Sequence, residues 1–215
     1  AKAVNGEIIS ADSMQVYRHM DIGSAKIRPE EMQGVPHHLV DCLEPDEEFN
    51  VVRFQQMAKE AMKGIYDRGR IPVLVGGTGF YIQAVTGDID FTVHGEDTTY
   101  RQMLEDKAKT EGAQVLHEML SAVDPASAAA IHANNVKRVI RALEYYRQTG
   151  KPISQHNEEQ RQKESPYNLA YFVLNDERTR LYERIDARID QMLADGLIDE
   201  VKTLKKMGYH KGMVS

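Results

Sequence analysis

Only one cysteine, Cys42, occurs in the 215 residues. An internal disulfide is therefore excluded, and no Cys/His spacing fits a zinc site, so a reducing cytoplasm is the expected setting. Cys42 itself follows HHLVD in a strand-like run and reads as core. Also absent are an apolar run near the roughly 18 residues of a membrane span and a signal-peptide pattern at the start. Positive charge is not in excess: 27 Lys and Arg against 33 Asp and Glu leave a formal net charge of −6. That balance excludes indiscriminate nucleic-acid binding but leaves room for a local basic face that holds a specific RNA. No internal repeat or low-complexity tract is apparent. What is present, 41% hydrophobic and 28% charged residues, suits a globular chain able to bury a substantial core, as one large domain or a domain with an insertion.

The chain is organised around residues 7–26, EIISADSMQVYRHMDIGSAK. Ile8, Ile9 and Ser10 read as the end of a buried strand running into polar, charged and glycine residues. In α/β sheets ligands sit outside the carboxyl ends of strands, which is where Asp12, Ser13 and Gln15 fall. A carboxylate there either accepts a proton or holds a metal-bound water, or it caps a turn or helix. Position alone leaves both open. Ahead of it, residues 1–3 read as the tail of a helix closed by Asn5-Gly6, so the chain is expected to open in the middle of a fold.

Pro29-Glu30-Glu31 predicts a short helix broken at Gly34-Val35-Pro36, and residues 38–42 a strand. Asn50 is the predicted N-cap of a helix with Phe54, Met57, Ala58, Ala61, Met62 and Ile65 at helical spacing, stopped at Gly69. Residues 71–75 predict a buried strand with Pro72 near its start. It runs into Gly76-Gly77-Thr78-Gly79 and a helix over 80–85. Such a loop exposes backbone N–H groups to an anion, and Thr78 adds a hydroxyl; it equally serves as a tight strand-to-helix turn.

From Gly87 to about Pro166 strand signals vanish. Helices are expected over 100–110 and 113–123, after the Asp124-Pro125 cap, and over 136–149, ended by Gly150. This segment reads as a helical insertion. Its last helix gathers Lys137, Arg138 and Arg141 on one face, with Arg147 nearby. The pattern suits a phosphate backbone or a solvated face partly neutralised by Glu144. Residues 168–174 return to strand pattern, and Asn175 or Asp176 is expected to cap a long helix with an apolar stripe of Leu181, Ile185, Ile189, Met192 and Leu193. Arg184 and Arg188 stand one turn apart beside it, fit to clamp a diphosphate or to pair with Glu183, Asp186 and Asp190. The helix is interrupted at Asp195-Gly196 and resumes from Leu197.

ADSMQVYRHMDIGSAK at 11–26, VPHHLVD at 35–41, GRIPVLVGGTGFY at 69–81, NNVKRVIRALEYYRQTGKP at 134–152 and LYERIDARIDQMLADGLIDEV at 181–201 together resemble the bacterial tRNA dimethylallyltransferases, or tRNA isopentenylpyrophosphate transferases. The combination is specific, although each piece alone is not. The resemblance implies an α/β, P-loop kinase-like core with a parallel sheet and an all-helical insertion. Residues 1–87 would be the first part of the core, 88–165 the tRNA-contacting insertion and 166–215 the return to the core. It implies transfer of a dimethylallyl group from dimethylallyl diphosphate to N6 of adenine 37, beside the tRNA anticodon, with Mg²⁺, by a monomer. By resemblance Asp12 is the general base, Thr78 positions the diphosphate and reacting centre, and Arg188, supported by Arg184, binds the diphosphate. Asp12, Ser13, Met14, Gln15 and Thr78 meet the target base, and Arg101, Lys137, Arg138 and Arg141 hold tRNA. Two departures stand out: the family's Walker-type loop, G-x-x-x-x-G-K-[ST], is absent from these residues, and Ser24 replaces a more usual threonine. A P-loop-type small-molecule kinase and a non-catalytic RNA-binding fragment are the alternative readings.

Overall fold

A computed structural model of the chain describes residues 1–91 and 98–210; what was expected of 92–97 and 211–215 lies outside the described residues. The chain divides into two compact units, Ala1–Asp88 with Ser165–Ser215, and Ile89–Glu164.

The first unit is α/β. Among the described residues its three strands, β1 (Gly6–Ser10), β2 (His37–His38) and β3 (Ile71–Val75), form a parallel sheet in the order β2-β1-β3. β1 is central, pairing Ile8 with His37 on one side and Ser10 with Val75 on the other, which is why its residues are almost all buried. The chain enters it through a 3₁₀ turn closed by Asn5 in the left-handed conformation at φ 51°. Helix α1 (Val51–Asp67) covers the sheet with Phe54, Ala58, Met62 and Ile65 buried. As its sequence predicts, Asn50 Oδ1 accepts from the N–H groups of Val52 and Arg53, two donors the first helical turn would otherwise leave unpaired. Helix α2 (Gly79–Thr86) follows β3.

Glu7, 1% exposed, is the charged residue in β1, a strand otherwise without charge. Its carboxylate accepts from Arg68 Nε and Nη2 at 2.9 and 2.7 Å and from Arg70 Nη1 at 3.0 Å, and it meets His38 Nε2 at 2.6 Å. Hydrogen bonds from Arg68 and then His38 bring its pKa down from 4.5 to about 2 against the opposing effect of burial. A carboxyl more acidic in the folded than in the unfolded chain favours folding above pH 4.5, and that contribution is lost as pH falls from 4.5 to about 2. Glu7→Gln is expected to destabilise the protein at neutral pH, because two guanidiniums lose their counter-charge. In denaturant titrations across this window the gap between wild type and variant closes as pH falls; a gap independent of pH contradicts this role.

Several expected elements differ. Residues 38–42 do not continue as a strand, because Leu39 and Asp41 take left-handed φ angles of 62° and 58°, which turn the backbone out of a ladder. Residues 29–34 form turns rather than a helix. β3 forms where expected but is not buried: it is the outer strand of the described sheet, and Ile71 and Val75 are about half exposed. Residues 168–174 make no ladder among the described residues, and Phe172, Val173 and Leu174 lie largely in the open; apolar alternation becomes a strand only when a neighbour takes its N–H and C=O groups. Helix α8 (Arg178–Ala194) starts after Glu177, with no side-chain cap. Asn175 and Asp176 instead accept from the N–H of the next residue. Its stripe of Leu181, Ile185, Ile189 and Leu193 stays exposed, with Met192 half-buried, and it packs on α9 (Leu197–Lys206).

In the second unit α3 (Thr98–Glu111), α4 (Ala113–Val123), α5 (Pro125–Ala130), α6 (Val136–Thr149) and α7 (Ile153–Gln162) enclose Leu104, Leu116, Leu120, Ala128, Val139, Ile140, Ala142 and Leu143. Asp124 caps α5, with Pro125 at its first turn. Its buried carboxylate accepts from the N–H and hydroxyl of both Ser127 and Ser154. Burial pushes this carboxyl up, but hydrogen bonds from the two serines outweigh it and hold it below the ordinary range.

Candidate active site

Both chemistry-bearing loops leave the carboxyl ends of adjacent parallel strands and meet at one residue, Ala11. This fully buried residue donates its N–H to Val75 O at 2.8 Å and accepts from Thr78 N at 3.3 Å. Contact is this close only because residue 76 is glycine: a Cβ there would lie 2.2 Å from the Ala11 carbonyl oxygen and 2.4 Å from its carbon. The Asp12 turn and the Gly-Gly-Thr-Gly loop are thus one mouth.

A shared aromatic core fixes both loops from beneath. Tyr17, five residues after Asp12, sits edge-on to Phe49 with centroids 6.3 Å apart, and Tyr81, three after Thr78, sits edge-on to the same ring at 5.7 Å and stacks on Phe54 at 4.6 Å. Burial pushes both phenols above their ordinary pKa, so they stay neutral. Residues 15–18 are further held by 41–43, through Asp41 N to Gln15 O, Cys42 N to Val16 O and Arg18 N to Leu43 O.

Half-buried Asp12 uses Oδ1 to accept from Met14 N at 2.8 Å and Gln15 N at 3.2 Å. The turn-capping reading is therefore correct for that oxygen. Among the described residues Oδ2 accepts no hydrogen bond, which leaves it for a substrate proton. Thr78 stands at the N-cap of α2 but its hydroxyl makes no cap hydrogen bond. Ser13 and Met14 are half-buried beside Asp12. Gln15 turns inward, its Nε2 donating to Ser24 O and Ala25 O at 3.4 and 3.2 Å, so its Oε1 is the part left for recognition.

The remaining residues are not brought to this mouth by any described hydrogen bond or ion pair. Arg184 pairs with Asp176 at 3.5 Å, not with the carboxylates of its own helix face. Arg188 is exposed on α8 and has no ion-pair partner among the described residues. Lys137, Arg138 and Arg141 belong to the second unit, where they are exposed and have no ion pair among the described residues. Glu144 does not neutralise them: it holds Arg101 in a two-pronged pair, with Nε and Nη2 each at 2.9 Å, tying α3 to α6. Arg101 thus has a structural partner that its sequence position does not announce. Arg147 lies over the Tyr100 ring, 4.3 Å from its centroid.

Sequence reasoning missed two anchors. Lys26, its side chain 7% exposed, donates to Tyr17 O at 2.6 Å and pairs with Asp21 and Asp41. Glu200 of α9 accepts from three successive N–H groups, those of Asp21, Ile22 and Gly23. Asp21 within DIGSAK was a local signal for the first; the second, 177 residues or more from its partners, had none. Among the described residues no group of three or more His, Cys, Asp or Glu could hold a metal, and no helix is long and apolar enough to cross a membrane.

The family model described as IPP transferase matches residues 15–215. The tRNA dimethylallyltransferase of Lachnoclostridium phytofermentans is 64% identical over 215 residues, covering 100% of this chain and 69% of that protein. That of Carboxydothermus hydrogenoformans is 51% identical over 97% of this chain and 67% of its own length. Among solved structures, the tRNA isopentenylpyrophosphate transferase of Bacillus halodurans is 50% identical with a TM-score of 0.64, over 98% of this chain and 65% of that one. A eukaryotic dimethylallyltransferase acting on tRNA has a TM-score of 0.81 at 32% identity, over 96% of this chain and 51% of that one. The chain thus spans about two thirds of the length of these bacterial relatives.

Proposed function

The chain belongs to the IPP transferase family, whose tRNA dimethylallyltransferases add an isopentenyl group to A37 of tRNA, and we propose that the Asp12–Thr78 mouth carries this transfer. The donor is dimethylallyl diphosphate, the acceptor N6 of adenine 37 in an anticodon stem-loop, and the protein acts as a monomer in the cytoplasm. The observation that carries the assignment is the convergence on Ala11 of the two loops that bear Asp12 and Thr78, each side chain with an oxygen that has no hydrogen-bond partner among the described residues: Asp12 Oδ2 and the Thr78 hydroxyl.

Adenine N6 is a weak nucleophile, so the reaction needs a base beside it and stabilisation of the leaving diphosphate. As the N6–C1 bond forms, the C1–O bond to diphosphate breaks and the N6 proton passes to Asp12. Thr78 donates to the diphosphate, and Arg188, with Arg184, offsets its charge. Ser13, Met14 and the free Oε1 of Gln15 face the target base, which leaves the stacked loop to reach the mouth. Magnesium needs few protein ligands when phosphate oxygens and water complete its shell. The Thr78 hydroxyl, with Asp12 nearby in the same mouth, fits such a partial site, and the bound ion would supply positive charge to the leaving group.

Lys137, Arg138 and Arg141 would hold the tRNA backbone, with Arg101 braced beside them by Glu144. Replacing Arg138 and Arg141 by Ala is expected to weaken binding of an anticodon stem-loop and to reduce the slope of log affinity against log salt by about 2, about 1 per lost phosphate contact. Turnover at saturating RNA remains. A kinase on the same scaffold has no such dependence, so unchanged RNA affinity and salt slope would contradict the proposal.

A further inference from the structure

The three N–H groups of Asp21, Ile22 and Gly23 converge on one carboxylate of a helix far along the chain: Glu200 Oε2 accepts from the first two at 2.7 Å each, and Oε1 from the third at 2.9 Å. Consecutive backbone donors curled round an anion form a nest, and here a side chain fills it. The loop so gripped is not relaxed by itself, since His19 and Ala25 take positive φ angles of 65° and 47°, a conformation that persists only where surroundings enforce it. Gly23 also approaches α9 closely: a Cβ there would meet Leu197 Cδ1 at 3.2 Å and Glu200 Oε1 at 3.4 Å.

The grip continues to the reacting carboxylate. Ser24 O and Ala25 O, next along the loop, accept from Gln15 Nε2, and Gln15 N in turn donates to Asp12 Oδ1. We propose that Glu200 is a positioning residue for the Asp12 turn, a buttress from α9 that acts through the 21–25 loop and Gln15. The proposal rests on the reading of Asp12 as the base. Among the described residues no hydrogen bond or ion pair joins α9 directly to Asp12 or Thr78, so its influence on turnover runs through this chain of hydrogen bonds.

The test uses the full-length protein with dimethylallyl diphosphate, magnesium and an anticodon stem-loop. Glu200→Ala is expected to lower kcat about ten- to a hundredfold, the effect of a misplaced catalytic group, with KM for RNA little changed. Assayed at a temperature where the variant is fully folded, so that any stabilisation by the bound anion cannot account for the gain, sodium formate, small enough to refill the nest, restores part of kcat, while sodium chloride at equal ionic strength does not. A Glu200→Ala enzyme with wild-type kcat overturns the proposal, and so does a loss of activity that only tracks the unfolded fraction and ignores formate. Should the Ala variant fail to fold, Glu200→Gln keeps the shape but turns an NH₂ group toward the donors; it is expected to lower kcat several-fold, and wild-type kcat in it overturns the proposal equally. Asp12→Asn run alongside separates the two readings: full activity there removes the base assignment itself, whereas an inactive Asp12→Asn with an unaffected Glu200→Ala removes only the buttress.

Discussion

Asp12→Asn lowers turnover by about two to four orders of magnitude, the usual contribution of a positioned base, while stability stays within about 0.5 kcal/mol of wild type and RNA affinity, set mainly by the backbone contacts of the basic helix, is largely kept. The separation follows from the two oxygens. Oδ1 holds the turn by accepting from Met14 N and Gln15 N, and an asparagine Oδ1 accepts the same bonds. Oδ2 is the free one, and asparagine replaces it with a group that has no lone pair for the N6 proton. Asp12→Ala removes both functions and adds a loss of about 1 kcal/mol, typical of a missing cap. Single-turnover kinetics with thermal melts and RNA titrations check all three quantities. An Asn variant that turns over normally would make Asp12 a turn cap alone.

Gly76→Ala is the second large effect, and it comes from a residue that carries no functional group. The new Cβ would lie 2.2 Å from Ala11 O and 2.4 Å from Ala11 C. Both are backbone atoms of a buried residue, so no rotamer change relieves the contact. Either β1 or the loop after β3 shifts, and the Ala11–Val75 and Thr78–Ala11 hydrogen bonds that join the two loops are lost or lengthened. The expected outcome is a stability loss of about 1–3 kcal/mol, as for an overpacked core, and a fall in kcat/KM of about a hundredfold, as for a reacting group displaced by about 1 Å. Gly77 is the internal control. Nothing lies within 4 Å of a Cβ placed there, so Gly77→Ala leaves stability unchanged or raises it by about 0.4–1 kcal/mol through the unfolded chain. Equal damage from both substitutions would contradict the account of the mouth.

What could be read from the sequence divides along physical lines. Local signals transferred well: the Asn50 cap, the Asp124-Pro125 start and the Val136–Thr149 helix stand as expected, because caps and helical spacing depend on residues within a few positions of each other. Asp12 at a strand end and Thr78 in its glycine loop were legible for the same reason. Elements that exist only through distant partners were not. The apolar run at 168–174 and the stripe of α8 carry strand and helix patterns, yet the first forms no ladder among the described residues and the second buries none of its apolar residues. Glu7 broke the apolar pattern of β1, but its partners Arg68 and Arg70 lie some sixty residues away. The pairing of Arg101 with Glu144 likewise takes two charges that sequence spacing treats as unrelated. Glu200 is the extreme case, because no local feature links it to the loop it holds.

The most direct test of the central claim is the mass of an anticodon stem-loop after incubation with the full-length protein, dimethylallyl diphosphate and magnesium. A gain of one five-carbon prenyl group on the adenine at position 37 is expected. The gain is absent from an RNA whose residue 37 lacks the exocyclic amine and is nearly abolished by Asp12→Asn, although that variant still binds the RNA. An unchanged mass with folded, RNA-binding wild-type protein, or a gain made equally fast by Asp12→Asn, would contradict that claim.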